Sequence, residues 1–139
     1  MDQYGYIKPL NPDLRDTIYI RSNTVWNQPR YVHNHIVVEP GAELLVNDTI
    51  TCYKGVSLVL KKGGSLTLQK KDQAYPKQQS TMQGSTSIST CGYLKGVNLK
   101  ASPGSSILIK DGAQILLRDE YPLSIPIGCE LTIESGIIK

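Results

Sequence analysis

A short phrase that recurs four times constrains the fold of this chain more than any other feature of its sequence. In each copy an apolar residue, two linking residues and a Gly are followed by a small residue, a polar residue and an apolar-x-apolar triplet. The copies occupy residues 38–46, 60–68, 101–109 and 125–133. Self-similarity of this kind is the sequence signature of a repeat architecture, in which each unit stacks on its neighbours.

The spacing of the copies indicates a coil of about 22 residues with one insertion. Gly41 and Gly63 are 63 − 41 = 22 residues apart, Gly63 and Gly104 are 104 − 63 = 41 apart, and Gly104 and Gly128 are 128 − 104 = 24 apart. The phrase at residues 54–58 also recurs 41 residues later, at 95–99. A single insertion of about 19 residues explains both displacements, and solenoids accept such insertions as loops on one face. The polar, Gln- and Ser-rich segment 70–90 is the predicted loop.

The pattern within each copy favours parallel strands. Alternate apolar residues, such as Leu44 and Val46 or Leu66 and Leu68, point to one side of a strand and form inward-facing columns. A constant offset between equivalent corners favours coiling over a series of hairpins. The Gly at each corner suits a backbone conformation with positive φ.

Length and composition complete the prediction of the fold. The chain has 139 residues, close to the commonest size of a single domain, with 12 Gly, 8 Pro and only 19% charged residues. This turn-rich composition argues against a helical bundle. We predict an all-β, right-handed parallel β-helix (a single-stranded solenoid) of about four to five coils. Residues 1–35 would form an N-terminal cap or first strand, with a strand at 17–20 and Trp26 as a plug, and residues 36–139 the coils with the inserted loop 70–90.

The last predicted coil has no polar cap. Apolar residues continue through 131–133 and 136–138. An apolar strand edge without a partner is an aggregation hazard. We therefore expect either further domains beyond Lys139 or an end-to-end homo-oligomer.

Charge and segment composition restrict the partners and the location. The net charge of +3 is spread along the chain without a basic block, which argues against a nucleic-acid surface. No apolar run is long enough to cross a membrane as a helix, so we expect a protein that is not transmembrane. The polar start, residues 1–10, lacks the pattern of a secretory signal, so a secreted origin requires that a signal was removed.

The three cysteines lack the spacing of a metal or redox site. Cys52, Cys91 and Cys129 form no C-x-x-C pair, so we predict no zinc site and no cofactor. A displacement of 41 aligns Cys91 with Ile50, which leaves Cys52 and Cys91 too far apart in strict register. A bulge at Gly92 would bring them into disulfide range, and this pairing stays open as an alternative.

Two other groups of residues suggest metal ligands but favour structural roles. His33 and His35 leave the same face of an extended segment, yet zinc needs three or four ligands and the nearest acid is Glu39. Asp48 and Asp111 follow their strands at equivalent repeat positions and could stack as an acidic rung for calcium. Aspartate at a turn is the simpler interpretation.

The candidates for catalysis and ligand binding lie on the later coils. Asp111, Arg118, Asp119 and Glu120 are the only group that resembles the paired carboxylates of glycan-cleaving enzymes, although adjacent strand residues point to opposite faces. Tyr53, Tyr93 and Tyr121 each precede an inward Leu and could form an outer stacking platform for sugar rings.

Three phrases carry a resemblance to a known group of proteins. They are Asn-Thr-Val-Trp at 23–26, His-Ile-Val-Val-Glu-Pro-Gly-Ala-Glu-Leu at 35–44 and Lys-Lys-Gly-Gly-Ser-Leu-Thr-Leu at 61–68. The chain resembles the β-solenoid segments of large secreted or cell-surface proteins of Bacteroidetes, best over residues 17–69 and loosely over 94–139. The resemblance implies a secreted or cell-surface location and a role as a spacer or adhesive stalk beside other domains.

Two functions follow as expectations. The first is a noncatalytic structural or adhesion module that binds a polysaccharide or a surface protein through loop 70–90 and an outer face, including carbohydrate binding. The alternative is a polysaccharide-acting enzyme of pectate-lyase-like fold, a lyase or glycosidase, or a fragment of one. The fold alone does not choose between them.

Overall fold

The computed structural model describes residues 15–71, 91–118 and 122–139, and these form strands but no helix. The strands run in chain order as β1 (Arg15–Ile20), β2 (Thr24–Trp26), β3 (Arg30–Val32), β4 (Asn34–Val38), β5 (Glu43–Val46), β6 (Thr49–Cys52), β7 (Ser57–Leu60), β8 (Ser65–Leu68), β9 (Tyr93–Ala101), β10 (Ser106–Ile109), β11 (Ala113–Leu117), β12 (Glu130–Ile133) and β13 (Gly136–Ile138). Each pairing between these strands is parallel. The prediction of an all-β solenoid is confirmed, with about four turns.

The coils have three faces. Face A consists of β1, β4, β7 and the second half of β9. Face B consists of β2, β5, β8, β10 and β12, and face C of β3, β6, the first half of β9, β11 and β13. Because β9 runs through a corner without a break, faces A and C join into one eight-stranded sheet, while face B is a separate five-stranded sheet.

Apolar columns fill the interior, as the repeat predicts. On face B, Leu44 pairs with Leu66, which pairs with Ile107, and all three are at most 1% exposed. Equivalent columns on the other faces are Ile36–Leu58–Leu99 and Ile50–Leu94–Ile115. Removing a side chain of this size from water contributes roughly 1.5–3 kcal/mol, so the columns supply the main stabilisation of the coils.

The corner between faces A and B is a ladder of glycines. Gly41, Gly63, Gly104 and Gly128 all have positive φ, between 84° and 98°. The N–H of each donates to the carbonyl of the next: Gly41 to Gly63 at 3.0 Å, Gly63 to Gly104 at 2.9 Å and Gly104 to Gly128 at 2.8 Å. The predicted displacements of 22, 41 and 24 residues are therefore the true register of this corner.

Face C departs from the displacement of 41. Ser57 pairs with Asn98, as predicted, but Thr49 pairs with Tyr93, a displacement of 93 − 49 = 44 residues. The corner that separates β6 from β7 is replaced in the next coil by the continuous strand β9. Three residues of register are absorbed there.

The insertion leaves the solenoid at the corner between faces B and C. An antiparallel bridge joins Lys70 to Cys91, and the N–H of Gly92 donates to the carbonyl of Gln69 at 2.9 Å. A Cβ at Gly92 would lie 2.3 Å from the carbonyl oxygen of Val46, so only glycine fits the return point. The predicted loop 70–90 begins at this bridge, and its residues 72–90 lie outside the described residues.

The segment predicted as a cap contains a turn of the solenoid. The predicted strand at 17–20 lies within β1, and β1, β2 and β3 pair in parallel with β4, β5 and β6. Trp26 lies inside at 5% exposure, in register with Val46. Residues 1–14 lie outside the described residues.

The last coil has strands on faces B and C only. After each earlier face-A strand, one N–H donates to the preceding coil: Glu39 to Ile20 at 2.9 Å, Lys61 to Val38 at 3.1 Å and Ser102 to Leu60 at 3.0 Å. The displacement from Ile107 to Leu131 on face B is 24 residues, so the equivalent of Ser102 is Pro126.

Proline has no N–H to donate, and Pro122 takes the equivalent position at the start of this rung. The two prolines explain why residues 122–126 form no strand.

Strands β12 and β13 form the open end of the solenoid. Each pairs with a neighbour on one side only, among the described residues. Ile127 is 98% exposed, and Ile133 and Ile137 are about half exposed. This edge is apolar, as the sequence indicates.

Candidate functional site

The predicted reactive cluster does not converge around its two described members. Asp111 lies at the corner before β11 and Arg118 directly after it, so the five residues of β11 separate them by about 16 Å. Asp119 and Glu120 lie outside the described residues. The expectation that Asp111 and Arg118 share one groove is therefore wrong.

The guanidinium of Arg118 bonds backbone instead of facing a groove. Its Nε donates to the carbonyl of Gly96 at 2.8 Å, and its Nη2 donates to the carbonyl of Cys52 at 3.0 Å. These acceptors belong to the two preceding coils. Arg118 thus ties three successive coils together at the corner between faces C and A.

The two aspartates of the predicted calcium rung are not neighbours. The register of face B, extended two residues past Val46, Leu68 and Ile109, makes Asp48, Lys70 and Asp111 equivalent. Lys70 lies between them, so the carboxylates are separated by two coil spacings, about 9.6 Å.

Asp48 and Asp111 hold the root of the insertion. Asp48 Oδ2 accepts from the Lys71 ammonium at 2.5 Å, and its Oδ1 accepts from the N–H of Thr49 at 2.7 Å. Asp111 Oδ2 accepts from the N–H of Lys70 at 3.2 Å, and its carbonyl accepts from the Cys91 thiol at 3.1 Å. The two carboxylates fix the strand ends from which the chain leaves and to which it returns.

The predicted tyrosine platform is not formed by Tyr53 and Tyr93. Tyr93 lies on the outer surface of face C with the Lys95 ammonium 5.5 Å from its ring centroid. Tyr53 lies at the corner between faces C and A, with its ring centroid 3.9 Å from that of His33. The register of 44 residues on face C moves the two rings apart along the strand direction. Tyr121 lies outside the described residues.

The two histidines of the predicted metal pair have separate partners. His33 packs on Tyr53, whereas Nδ1 of His35 accepts from the N–H of Ser57 at 3.2 Å. Within the described ranges, no three His, Cys, Asp or Glu side chains form a group that could hold a metal ion.

The three cysteines are free thiols. With Thr49 opposite Tyr93, Cys52 is equivalent to Gly96, five residues beyond Cys91, which corresponds to about 16 Å along the strand. The structure therefore does not pair Cys52 with Cys91. Burial raises the pKa of the Cys52 thiol to about 12 from 9.0, and the charge of Arg118 opposes this shift.

A polar groove runs across the outer surface of face B. It has a volume of about 400 Å³ and crosses β5, β8, β10 and β12. Its polar lining consists of hydroxyl and carboxylate side chains: Glu43, Ser65, Thr67, Ser106, Glu130, Thr132 and Glu134. These positions alternate with the inward columns, so strand pairing places them in rows parallel to the solenoid axis.

The register arranges the groove residues in two rows. Glu43, Ser65, Ser106 and Glu130 are directly paired from strand to strand. Leu45, Thr67, Leu108 and Thr132 form the adjacent row. Two carboxylates therefore stand at the ends of the first row, with hydroxyls between them.

One hydrogen bond organises the end of the groove near β5. The Thr67 hydroxyl, only 6% exposed as a residue, donates to Glu43 Oε2 at 2.6 Å. The N–H of Glu43 in turn donates to Asn23 Oδ1 at 3.1 Å. A carboxylate held in this way is preorganised as an acceptor for hydroxyl donors.

The sequence analysis missed this groove because it followed the inward residues of the repeat. The available signal was the Ser, Thr and Glu at alternate, outward positions of each copy, as in Ser65-Leu66-Thr67 and Glu130-Leu131-Thr132.

Comparison with protein-family models, curated proteins and solved structures finds no match to this chain. Among the described residues, no helix has the length and apolarity needed to cross a membrane.

Proposed function

We propose that the protein is a noncatalytic β-solenoid module that binds an extended glycan along the groove of face B. The observation that carries this proposal is the continuous polar lining across four successive strands. Adjacent strands lie about 4.8 Å apart, so the groove extends over about 14 Å, enough for several groups of a linear polymer.

The chemistry of the groove supports a ligand rich in hydroxyl groups. Serine and threonine hydroxyls both donate and accept, while carboxylates accept charge-assisted bonds. Leu108 adds an apolar surface in the row with Thr67 and Thr132, which suits the C–H face of a sugar ring. All these side chains are carried by paired strands, so little ordering is needed on binding.

We also propose a secreted or cell-surface location, in which the solenoid acts as an adhesive or spacing element. The resemblance to surface solenoid segments supports this location, and the repeated outer surface suits a binding partner with its own repeat.

The test is retention on an array of plant, bacterial and host glycans, followed by calorimetry with the glycans retained. Thr67→Val removes the hydroxyl that orients Glu43, and loss of about one hydrogen bond predicts roughly five-fold weaker binding. The matched control is Thr51→Val, because Thr51 pairs with Tyr31 and Lys95 on face C.

Three results would contradict the proposal. They are an absence of retention on every glycan, an equal loss of binding in Thr51→Val, and release of reducing ends from a retained glycan. The last result would favour a polysaccharide-acting enzyme.

A further inference from the structure

Face A has an open strand edge inside the wall of the solenoid. β9 is its last strand, and residues 122–126 of the following coil lie opposite without pairing. A second groove, of about 300 Å³, separates the two segments. It is lined by Asn98–Ala101 of β9 and by Pro122, Ser124 and Pro126.

The hydrogen bonds of β9 show which backbone groups face this groove. The N–H of Asn98 donates to Val56 at 3.1 Å and that of Ser102 to Leu60 at 3.0 Å. In a parallel ladder the backbone groups of successive residues point to opposite neighbours, so Leu99 and Ala101 point away from β7. Their N–H and C=O groups have no hydrogen-bond partner among the described residues.

The chain cannot complete this rung by itself. Pro122 and Pro126 occupy two of the three positions whose N–H would donate to β9, and only Ser124 has a donor. Leu123 and Ile125 nevertheless pack partly buried against the core, in the columns of Leu99 and Ala101. The rung is filled by side chains but lacks its ladder of main-chain bonds.

We propose that the edge of Leu99 and Ala101 is a strand-addition site for an extended peptide segment of a partner protein, which replaces residues 122–126 against β9. Four unpaired main-chain groups supply the affinity, as in other cases of β-augmentation. This site lies on a different face from the glycan groove and does not depend on it.

The surroundings favour a single extended chain over the edge of a second solenoid. The bond from Gly104 to Gly128, at 2.8 Å, closes the groove at the corner with face B. Beyond it the last coil continues with β12 and β13 on the other two faces. The edge is therefore recessed, and the flat edge of another folded sheet would collide with the last coil.

The neighbouring side chains define the peptide. Lys100 is exposed, points outward between Leu99 and Ala101, and forms no ion pair with a described residue. An acidic residue opposite Lys100 would form a cross-strand pair. Ala101 is small where the column Val38–Leu60 is large, which leaves space for a bulky apolar residue. The expected pattern is apolar, acidic, bulky apolar.

The experiment follows amide exchange and chemical shifts by NMR with a blocked probe peptide, Val-Leu-Glu-Ile-Thr. In the free protein we expect the amides of Leu99 and Ala101 to exchange rapidly and that of Lys100 slowly. A saturating concentration of peptide should slow exchange at Leu99 and Ala101 about ten-fold or more. The same peptide with N-methylated amides on the bonding side should have no effect.

Two protein variants test the mechanism. Pro122→Thr with Pro126→Thr restores the donors of the rung, and should protect Leu99 and Ala101 without peptide and abolish peptide binding. Lys100→Glu should weaken binding about two- to five-fold, and a probe with Lys in place of Glu should recover that loss.

The proposal is overturned if Leu99 and Ala101 are already protected in the dilute free protein, or if the N-methylated peptide protects them equally. Protection that increases with protein concentration alone would assign the edge to a second copy and would also overturn it. Because the glycan assay does not involve these residues, either proposal can fail without the other.

Discussion

The Nη2 atom of Arg118 lies 3.0 Å from the carbonyl oxygen of Cys52, although 66 residues separate the two in the chain. The same guanidinium bonds the carbonyl of Gly96 in the coil between them. A side chain that sequence reasoning assigned to catalysis therefore stabilises the corner where three coils meet. The bonds are partly buried and charge-assisted, so their loss leaves carbonyl groups without partners.

Arg118→Ala should lower the free energy of unfolding by about 1.5–3 kcal/mol, because hydrogen bonds to a charged group are lost. Urea denaturation followed by circular dichroism measures this change. Arg21→Ala is the control, since Arg21 is exposed and stacks on Tyr19 at 4.8 Å. An equal loss in both variants would contradict the proposed clamp.

Two glycines separate backbone strain from steric collision. At Gly41, φ is +84° and an added Cβ meets nothing within 4 Å, so Gly41→Ala should cost only about 1–2 kcal/mol of strain. At Gly92 the Cβ would lie 2.3 Å from the carbonyl oxygen of Val46, so Gly92→Ala should destabilise more. Thermal unfolding of both variants gives the order, and a reversed order would refute the register at the insertion root.

The buried thiol of Cys52 predicts a loss of stability at alkaline pH. The folded-state pKa is about 12 against 9.0, so above pH 9 the unfolded chain loses a proton that the folded chain keeps. The contribution is fully present below pH 9 and falls by about 1.4 kcal/mol per pH unit between 9 and 12.

Urea titrations across this pH range measure the slope, with Cys52→Ala as the reference for all other groups. If the two proteins lose stability in parallel above pH 9, the Cys52 thiol is not the cause. Alkylation at pH 8 should also modify Cys91 and Cys129 well before Cys52, because both are only partly buried.

The ion pair at the insertion root predicts a local effect on proteolysis. Asp48→Asn keeps an acceptor for the N–H of Thr49 but loses the charge that holds Lys71. Trypsin should then cleave after Lys71 several-fold faster, because local opening at the root becomes more frequent. Glu39→Gln, which breaks the exposed pair with Lys61 at 3.4 Å, is the control and should leave this cleavage unchanged.

Much of the architecture was predictable because it depends on local periodicity. The corner glycines and the alternation of apolar residues state the coil length, the direction of the strands and the inward columns, and Leu44, Leu66 and Ile107 stack as predicted. Pro122 and Pro126 also carried a readable signal, since a parallel rung needs donors at those two positions.

The candidate sites were less predictable because each depends on register or on contacts between coils. A shift from 41 to 44 residues on face C separates Cys52 from Cys91 and Tyr53 from Tyr93. Nothing in the sequence near residue 95 signals that β9 continues through the corner. The role of Arg118 likewise depends on carbonyl groups in other coils.

The amino-acid sequence alone determined that the chain coils in parallel strands around an apolar interior, because periodic burial of side chains is encoded within each repeat. Only the tertiary structure decided which outward side chains share a groove, which carboxylates hold the insertion and which backbone groups stay unpaired. The physical reason is that these relationships arise between coils, where a shift of a few residues changes every neighbour while leaving the hydrophobic pattern intact.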